Sequence, residues 1–196
     1  MKTNVLIRWA SVPVCVVILA GWMQAANFVI VPSESTVSFR VKGPIGKVKG
    51  KFEKFEGRFS YDPSQPAQWG AMATIDISSI HTGIHKRDSD LQHADFLDVK
   101  SFPTMTFTST STSQTPSEKP KVIGTLTLHG ITLPVHLTIE SIEATPNSSV
   151  PQKIHAVATS RIDRKDFGVG LTHGTFMVGR FVDIRLDIQG VLSTAP

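Results

Sequence analysis

"LPVHLTIE", residues 133–140, alternates apolar and polar side chains from one end to the other. Leu133, Val135, Leu137 and Ile139 occupy every second position, and the positions between them are polar or proline. Successive side chains of a β-strand point to opposite faces of the sheet, so all four apolar groups would lie on one side. The stretch therefore predicts a strand with one buried face and one face in water.

The same period of two recurs along most of the chain. Six further runs show it: "TVSFRVK" (36–42), "ATIDISS" (73–79), "TMTFTS" (104–109), "GTLTLHG" (124–130), "KIHAVATSRI" (153–162) and "FVDIRLDIQG" (181–190). Turn signals such as "GPIG" (43–46) separate these runs and predict antiparallel neighbours. In "GKFEKFEGRFSYD" (50–62) the apolar positions change phase near Glu53 and Lys54, which predicts a bend within a long strand.

These elements predict an all-β fold of about eight antiparallel strands with one or two short helices. A sandwich and a barrel would both bury one face of every strand, and we favour the barrel because closure removes exposed sheet edges. One helix is predicted from about Ile84 to His93 with Thr82 as its cap, and "RKDFGVGLTHG" (164–174) could add a helical turn. Small residues on the predicted inner faces would leave room inside the barrel: Ala71, Ala73, Ser79, Ala156, Ala158 and Ser160.

The N-terminal segment differs from the rest of the chain. Lys2 and Arg8 precede an apolar run from Val12 to Leu19, which predicts a secretory signal peptide over residues 1–26. A retained anchor is the alternative. One domain, residues 27–196, would follow and would be exported to the periplasm.

Composition excludes several classes of function for that domain. The only cysteine, Cys15, lies in the predicted signal peptide, so disulfides and cysteine-ligated metals are excluded after cleavage. The formal charge of +4 includes Lys2 and Arg8, which leaves about +2 for the domain. This near-neutral balance argues against binding to nucleic acid.

A charged stretch, "HTGIHKRDSDLQHADFLDVKSFP" (81–103), interrupts the strand pattern. His81 and His85 are four residues apart, and His93 or Asp88 could complete a metal site with them. Asp95 and Asp98 are candidates for acid and base catalysis, although aspartates at turns usually accept hydrogen bonds from backbone amides.

A structural role for this stretch is the third reading. Arg87 and Asp88 flank the apolar face formed by Ile84 and Leu91, where they could tie the helix and its loops to the barrel through charge-assisted hydrogen bonds. The residues alone leave these three readings open.

Three segments resemble the YceI-like family of exported, lipocalin-like, polyisoprenoid-binding proteins. Residues 78–110 carry its hallmark Thr-Gly, Arg-Asp, Asp-Phe-Leu-Asp-Val and Phe-Pro-Thr pattern. "GTLTLHGITLPVHL" (124–137) resembles its Leu-Thr-Leu-His-Gly hairpin, and "RIDRKDFGVG" (161–170) resembles its Arg-x-Asp-Phe-Gly segment, with Asp163 in place of the usual Asn. The resemblance covers nearly the whole chain after residue 26.

The resemblance implies an extended lipocalin-like barrel that holds a long isoprenoid chain, such as the tail of a quinone or a polyprenyl phosphate. It implies lipid binding without turnover, no cofactor other than the bound lipid, and a membrane cytochrome as a partner. The oligomeric state stays open, with a dimer as one option. Two rival hypotheses remain: a metal-dependent or acid-base enzyme that uses the His81 to Asp98 cluster, and a partner-binding barrel with a filled interior.

The candidate site residues fall into two groups. Those expected to line the barrel interior and contact ligand are Phe39, Phe52, Ile75, Ile77, Leu91, Phe96, Phe107, Leu126, Leu128, Val135, Leu137, Phe167, Val182 and Ile184. Those expected to form a structural latch are Arg87, Asp88, Asp95, Asp98, His129, Gly130, Arg164 and Asp166.

Overall fold

A computed structural model of the chain describes residues 25–43, 45–145, 152–171 and 178–193. The signal peptide predicted for residues 1–26 lies outside the described residues except for its last two positions. The strands are β1 (Ala26–Ile30), β2 (Thr36–Lys42), β3 (Lys47–Phe52), β4 (Phe55–Tyr61), β5 (Gly70–Asp76), β6 (Ile80–His81), β7 (Thr104–Ser113), β8 (Lys121–Leu128), β9 (Ile131–Ala144), β10 (Lys153–Asp163) and β11 (Phe181–Leu192).

These strands form a closed antiparallel barrel with eight positions around its axis. Three pairs of short strands each act as one interrupted barrel strand: β1 with β2, β3 with β4, and β5 with β6. Each barrel strand pairs with the next one along the chain, and β11 closes the ring by pairing with both β1 and β2. The predicted all-β barrel of about eight strands is therefore confirmed, and the sandwich is excluded.

The predicted bend between β3 and β4 is confirmed at Glu53 and Lys54. The Ser79 hydroxyl oxygen accepts hydrogen bonds from the Glu53 and Lys54 backbone N–H groups, at 3.2 and 3.0 Å. The same hydroxyl donates to the Asp76 carbonyl oxygen at 2.6 Å. Ser79 thus joins the bend to the 3₁₀ turn Ile77–Ser79 and does not line the interior.

The seam of the barrel lies where β1 meets β11, and the sequence analysis missed β1. Phe28 is fully buried and stacks on Phe59, with ring centroids 5.3 Å apart and 15° between the ring planes. Gly190 pairs with Ile30 across the seam, and a Cβ atom there would lie 2.5 Å from the Phe59 ring. Glycine at this position lets the two aromatic rings pack against β11.

Helix α1 (His85–Gln92) confirms the predicted helix, but its local contacts differ from the prediction. Ile84 is the N-cap residue without a side-chain cap, because the Thr82 hydroxyl donates to Asp88 instead. Asp88 is only 7% exposed, whereas Ile84 is 52% exposed, so the polar residue takes the inward position predicted for Ile84. Residues 164–170 form turns and contain no helix. No helix among the described residues combines the length and apolar character needed to cross a membrane.

The seam yields a prediction for stability. Phe28→Ala should lower the free energy of unfolding by about 3 to 5 kcal/mol, because it removes a fully buried ring and leaves a cavity beside Phe59. The matched control is Val29→Ala on the exposed face of the same strand, with an expected loss below about 1 kcal/mol. Urea unfolding followed by tryptophan fluorescence measures both, and equal losses would contradict the role of this seam.

Candidate functional site

An apolar cavity of about 290 Å³ runs inside the barrel. Side chains from all eight barrel positions line it, which follows from the inward parity of the strands. Ala71, Ala73, Ala156, Ala158 and Ser160 are among these residues, and their small side chains leave space that larger residues would fill. The volume lies near the lower limit for small-molecule pockets, so the interior is not filled by the protein itself.

The cavity extends between the two ends of the barrel. Ile154, near the start of β10, and Arg164, directly after its last residue, both line the cavity. Ten residues of extended chain separate them, which is roughly 33 Å at about 3.3 Å per residue. Strand tilt makes the distance along the barrel axis shorter than this. The cavity is therefore long and narrow, a shape that fits a chain better than a compact ligand.

Two aromatic side chains border the cavity at the β4–β5 end. The Tyr61 and Trp69 ring centroids are 5.2 Å apart, and Trp69 Nε1 donates to the Asp62 carbonyl oxygen at 2.7 Å. Burial, together with the charge of Asp62, raises the pKa of the Tyr61 hydroxyl, which keeps that group neutral.

Most residues predicted for the interior lie on the cavity wall. The structure brings together twelve of them: Phe39, Phe52, Ile75, Leu91, Phe96, Phe107, Leu126, Leu128, Val135, Leu137, Val182 and Ile184. Ile77 and Phe167 are corrections, because neither reaches the cavity. Ile77 is fully buried in a 3₁₀ turn, and its backbone N–H donates to the Pro103 carbonyl oxygen at 2.9 Å. Phe167 is buried in the turn after β10.

The prediction also omitted residues on β4 and β11 that line the cavity. Phe55, Phe59 and Tyr61 on β4 line it, as do Leu186 and Ile188 on β11. A signal for them was present in the sequence, since the three aromatic residues share one strand parity.

Arg87 and Asp88 form the centre of the predicted latch, and both bond to Thr82. The Arg87 guanidinium donates to the Thr82 hydroxyl and carbonyl oxygens at 2.7 and 2.8 Å. The Asp88 carboxylate accepts from the Thr82 backbone N–H at 2.9 Å and lies 3.7 Å from His81 Nδ1. These bonds tie α1 to the segment that leaves β6 and do not reach more distant strands.

Asp98 and His129 occupy left-handed backbone conformations in turns near α1, with φ angles of 43° and 52°. The Asp98 carbonyl oxygen accepts from the Ser101 and Phe102 backbone N–H groups at 3.0 and 2.8 Å. His129 precedes Gly130 (φ 74°) in the β8–β9 turn and packs on Phe102, with ring centroids 4.7 Å apart. Both positions thus shape the backbone of this end.

The structure does not assemble the proposed metal site from the His81 to Asp98 cluster. Within the described ranges, no three histidine, aspartate or glutamate side chains converge as metal ligands would. Asp95 and Asp166, which were also predicted to belong to the latch, are both exposed.

Arg164 is a buried cation at the α1 end of the cavity. It is 4% exposed and donates four hydrogen bonds to backbone carbonyl oxygens: Gly179 at 2.9 Å, Val169 at 2.6 Å, Gly170 at 2.9 Å and Val178 at 2.9 Å. Burial lowers the pKa of its guanidinium, although the group stays charged. The side chain joins the turn after β10 to the segment before β11 and completes the cavity wall there.

Replacement of Arg164 by methionine should lower the free energy of unfolding by about 3 kcal/mol or more, because several buried carbonyl oxygens lose their donors. Arg161→Met is the matched control, since Arg161 is exposed and its pair with Asp183 contributes little. Thermal and urea unfolding compare the two variants. Similar stability of both variants would mean that the carbonyl oxygens find other donors.

Comparison with known proteins agrees with this architecture. A UPF0312 protein of Vibrio cholerae is 32% identical over 171 residues, which cover 86% of this chain and 88% of that protein. The crystal structure of Burkholderia cenocepacia BcnA is similar with a TM-score of 0.70 and 26% identity over 82% of this chain and 98% of BcnA.

A third similar structure is a polyisoprenoid binding domain from Saccharophagus degradans, with a TM-score of 0.61 over 86% of this chain and 99% of that domain. Its 15% identity supports the fold alone. The YceI-like domain family matches residues 28–190, from the first strand to the last. The chain belongs to the YceI-like domain family.

Proposed function

We propose that this protein binds a long-tailed amphiphile, an isoprenoid quinone or a polyprenyl-type lipid, with the tail in the barrel cavity. It would carry or sequester this lipid in the periplasm, to which the predicted signal peptide directs it. The observation that supports this most strongly is the long apolar cavity enclosed by a closed barrel. The similar Saccharophagus degradans domain, described as polyisoprenoid binding, agrees with it.

The tail would supply most of the binding free energy. Each buried CH₂ group contributes about 0.8 kcal/mol, so a few isoprene units contribute several kcal/mol. An ion pair between an exposed side chain and a head group contributes about 0 to 1 kcal/mol. Selectivity would therefore depend mainly on the length and width of the tail, and head groups of different chemistry could share the same cavity.

The proposal is binding without turnover. Residues on the cavity wall are almost all apolar, and Asp88, a candidate ligand of the rival metal site, bonds to Thr82. The rival hypothesis of a barrel with a filled interior receives no support from a cavity of about 290 Å³. A membrane cytochrome as a partner remains a proposal from family resemblance.

Filling the cavity tests the proposed function. Ala158→Phe, in the middle of β10, places a ring inside the cavity and should abolish lipid retention. Thr108→Phe adds the same ring on the exposed face of β7 and should retain lipid like the unmodified protein. Native mass spectrometry after mild purification, followed by solvent extraction, measures the bound lipid.

Ala156→Leu, a smaller addition to the same wall, provides a second variant if Ala158→Phe lowers the melting temperature. We expect partial loss of lipid from this variant. Equal lipid content in the interior and exterior variants would contradict the proposal. An unmodified protein that is purified with an empty cavity and no lipid would also contradict it.

The latch should affect stability more than binding. Arg87→Ala removes two hydrogen bonds to Thr82 and should lower the free energy of unfolding by about 1 to 3 kcal/mol, while the folded fraction keeps its lipid. Lys86→Ala on the exposed side of α1 is the control and should leave the melting temperature almost unchanged. An Arg87→Ala protein with an unchanged melting temperature and no lipid would instead assign Arg87 to the binding site.

A further inference from the structure

The two ends of the barrel differ in the chemistry of their connections. One end, here called the α1 end, is formed by residues 43, 45–46, 82–103, 129–130, 164–171 and 178–180 among those that the structure describes. The opposite end is formed by residues 62–69, 114–120, 145 and 152, and the described chain also begins and finishes there. This arrangement follows from the antiparallel order, because every second connection must lie at the same end.

Exposed apolar side chains concentrate at the α1 end. Of the seven large hydrophobic residues that are exposed in the described part of the chain, five lie in these connections or in the first strand residue after them: Ile45, Ile84, Ile131, Leu171 and Phe181. Ile45 is the most exposed, at 95%, and projects from the β2–β3 turn. The other two, Val29 and Met72, lie on the barrel wall. An aliphatic side chain left this exposed gains free energy if an apolar phase covers it.

The β2–β3 hairpin that carries Ile45 is basic. Its five exposed cations are Arg40, Lys42, Lys47, Lys49 and Lys51. Among the described residues only Lys51 has a carboxylate of its own within 4 Å, Glu53 at 3.1 Å. Asp183, which pairs with Arg40 in the sheet register, already accepts from Arg161 at 2.6 Å. The hairpin therefore has an excess of positive charge on both sides of its apolar turn.

Other parts of the α1 end have no excess of positive charge, and this identifies the side of the barrel end that would face an anionic surface. Phe181 lies beside Arg161 and Arg180, whose charges are balanced by Asp183 and Asp163. The connection that contains α1 carries four aspartates against three lysine and arginine residues, so it has no excess of positive charge. The hairpin side of the α1 end is thus the side on which apolar exposure and positive charge coincide.

We propose that the α1 end docks on an anionic phospholipid bilayer, with Ile45 inserted among the lipids and Lys42, Lys47 and Lys49 against the head groups. An apolar residue flanked by cations is the combination that binds the interface of a charged membrane. Arg164 and Phe96 line the cavity at this same end, so docking would bring that end of the cavity next to the bilayer. This inference goes beyond the proposed function, because binding a lipid in the cavity does not require a membrane contact.

Vesicle flotation of the purified full chain tests the proposal. The unmodified protein should float with vesicles of phosphatidylcholine and phosphatidylglycerol, much less with phosphatidylcholine alone, and less as salt is raised. Ile45→Asp should weaken binding to the mixed vesicles about tenfold, and Lys47→Gln with Lys49→Gln should weaken it about 25-fold, at about fivefold per lysine. Met72→Asp, an exposed apolar residue on the barrel wall, is the matched control and should float like the unmodified protein.

Several outcomes would overturn the docking proposal: no flotation of the unmodified protein, equal binding to both kinds of vesicle, or equal flotation of Ile45→Asp and Met72→Asp. Binding through the N-terminal segment would produce the last of these, because both variants share that segment. Thermal melting of each variant verifies that it is folded. Lipid extracted from Ile45→Asp distinguishes the two hypotheses, since a folded variant that keeps its lipid but fails to float supports docking independently of cavity binding.

Discussion

The pairing of β11 with the interrupted strand formed by β1 and β2 closes the sheet into a ring. An open sheet of the same strands would expose two edges and could not enclose a space. Once the ring is closed, the strand period of two directs every second side chain to a common axis, and the sizes of those side chains decide whether the interior is solid or hollow. Alanines on β5 and β10 leave it hollow, although large apolar residues from the other strands surround them.

Much of this could be predicted from the sequence because it depends on local periodicity. The alternation in residues 133–140 and in six similar runs identified the strands, and the same parity placed twelve residues correctly on the wall of the cavity. The bend at Glu53 and Lys54 was visible as a change of phase. Family resemblance added the extended lipocalin-like shape and the proposal of a lipid ligand, which periodicity could not supply.

What the sequence did not predict depends on contacts between distant parts of the chain. β1 is a short strand whose position is set by Phe59 and Gly190, far away along the chain. Ile77 has the inward parity but enters a 3₁₀ turn, and a turn breaks the rule that parity gives direction. Thr82 is a residue type that often caps helices, yet its hydroxyl and backbone N–H form hydrogen bonds with Arg87 and Asp88. The volume of the cavity likewise depends on how all eight barrel strands pack together.

Arg87, Asp88 and Arg164 hold the connections of the α1 end through hydrogen bonds, and apolar groups form the space that would receive the ligand. A crystal structure of the protein purified from its natural host, with no lipid added, tests the central claim most directly. The account predicts continuous elongated electron density between Trp69 and Arg164 that no protein atom explains. A cavity collapsed onto its own side chains, or filled with ordered water, would contradict it.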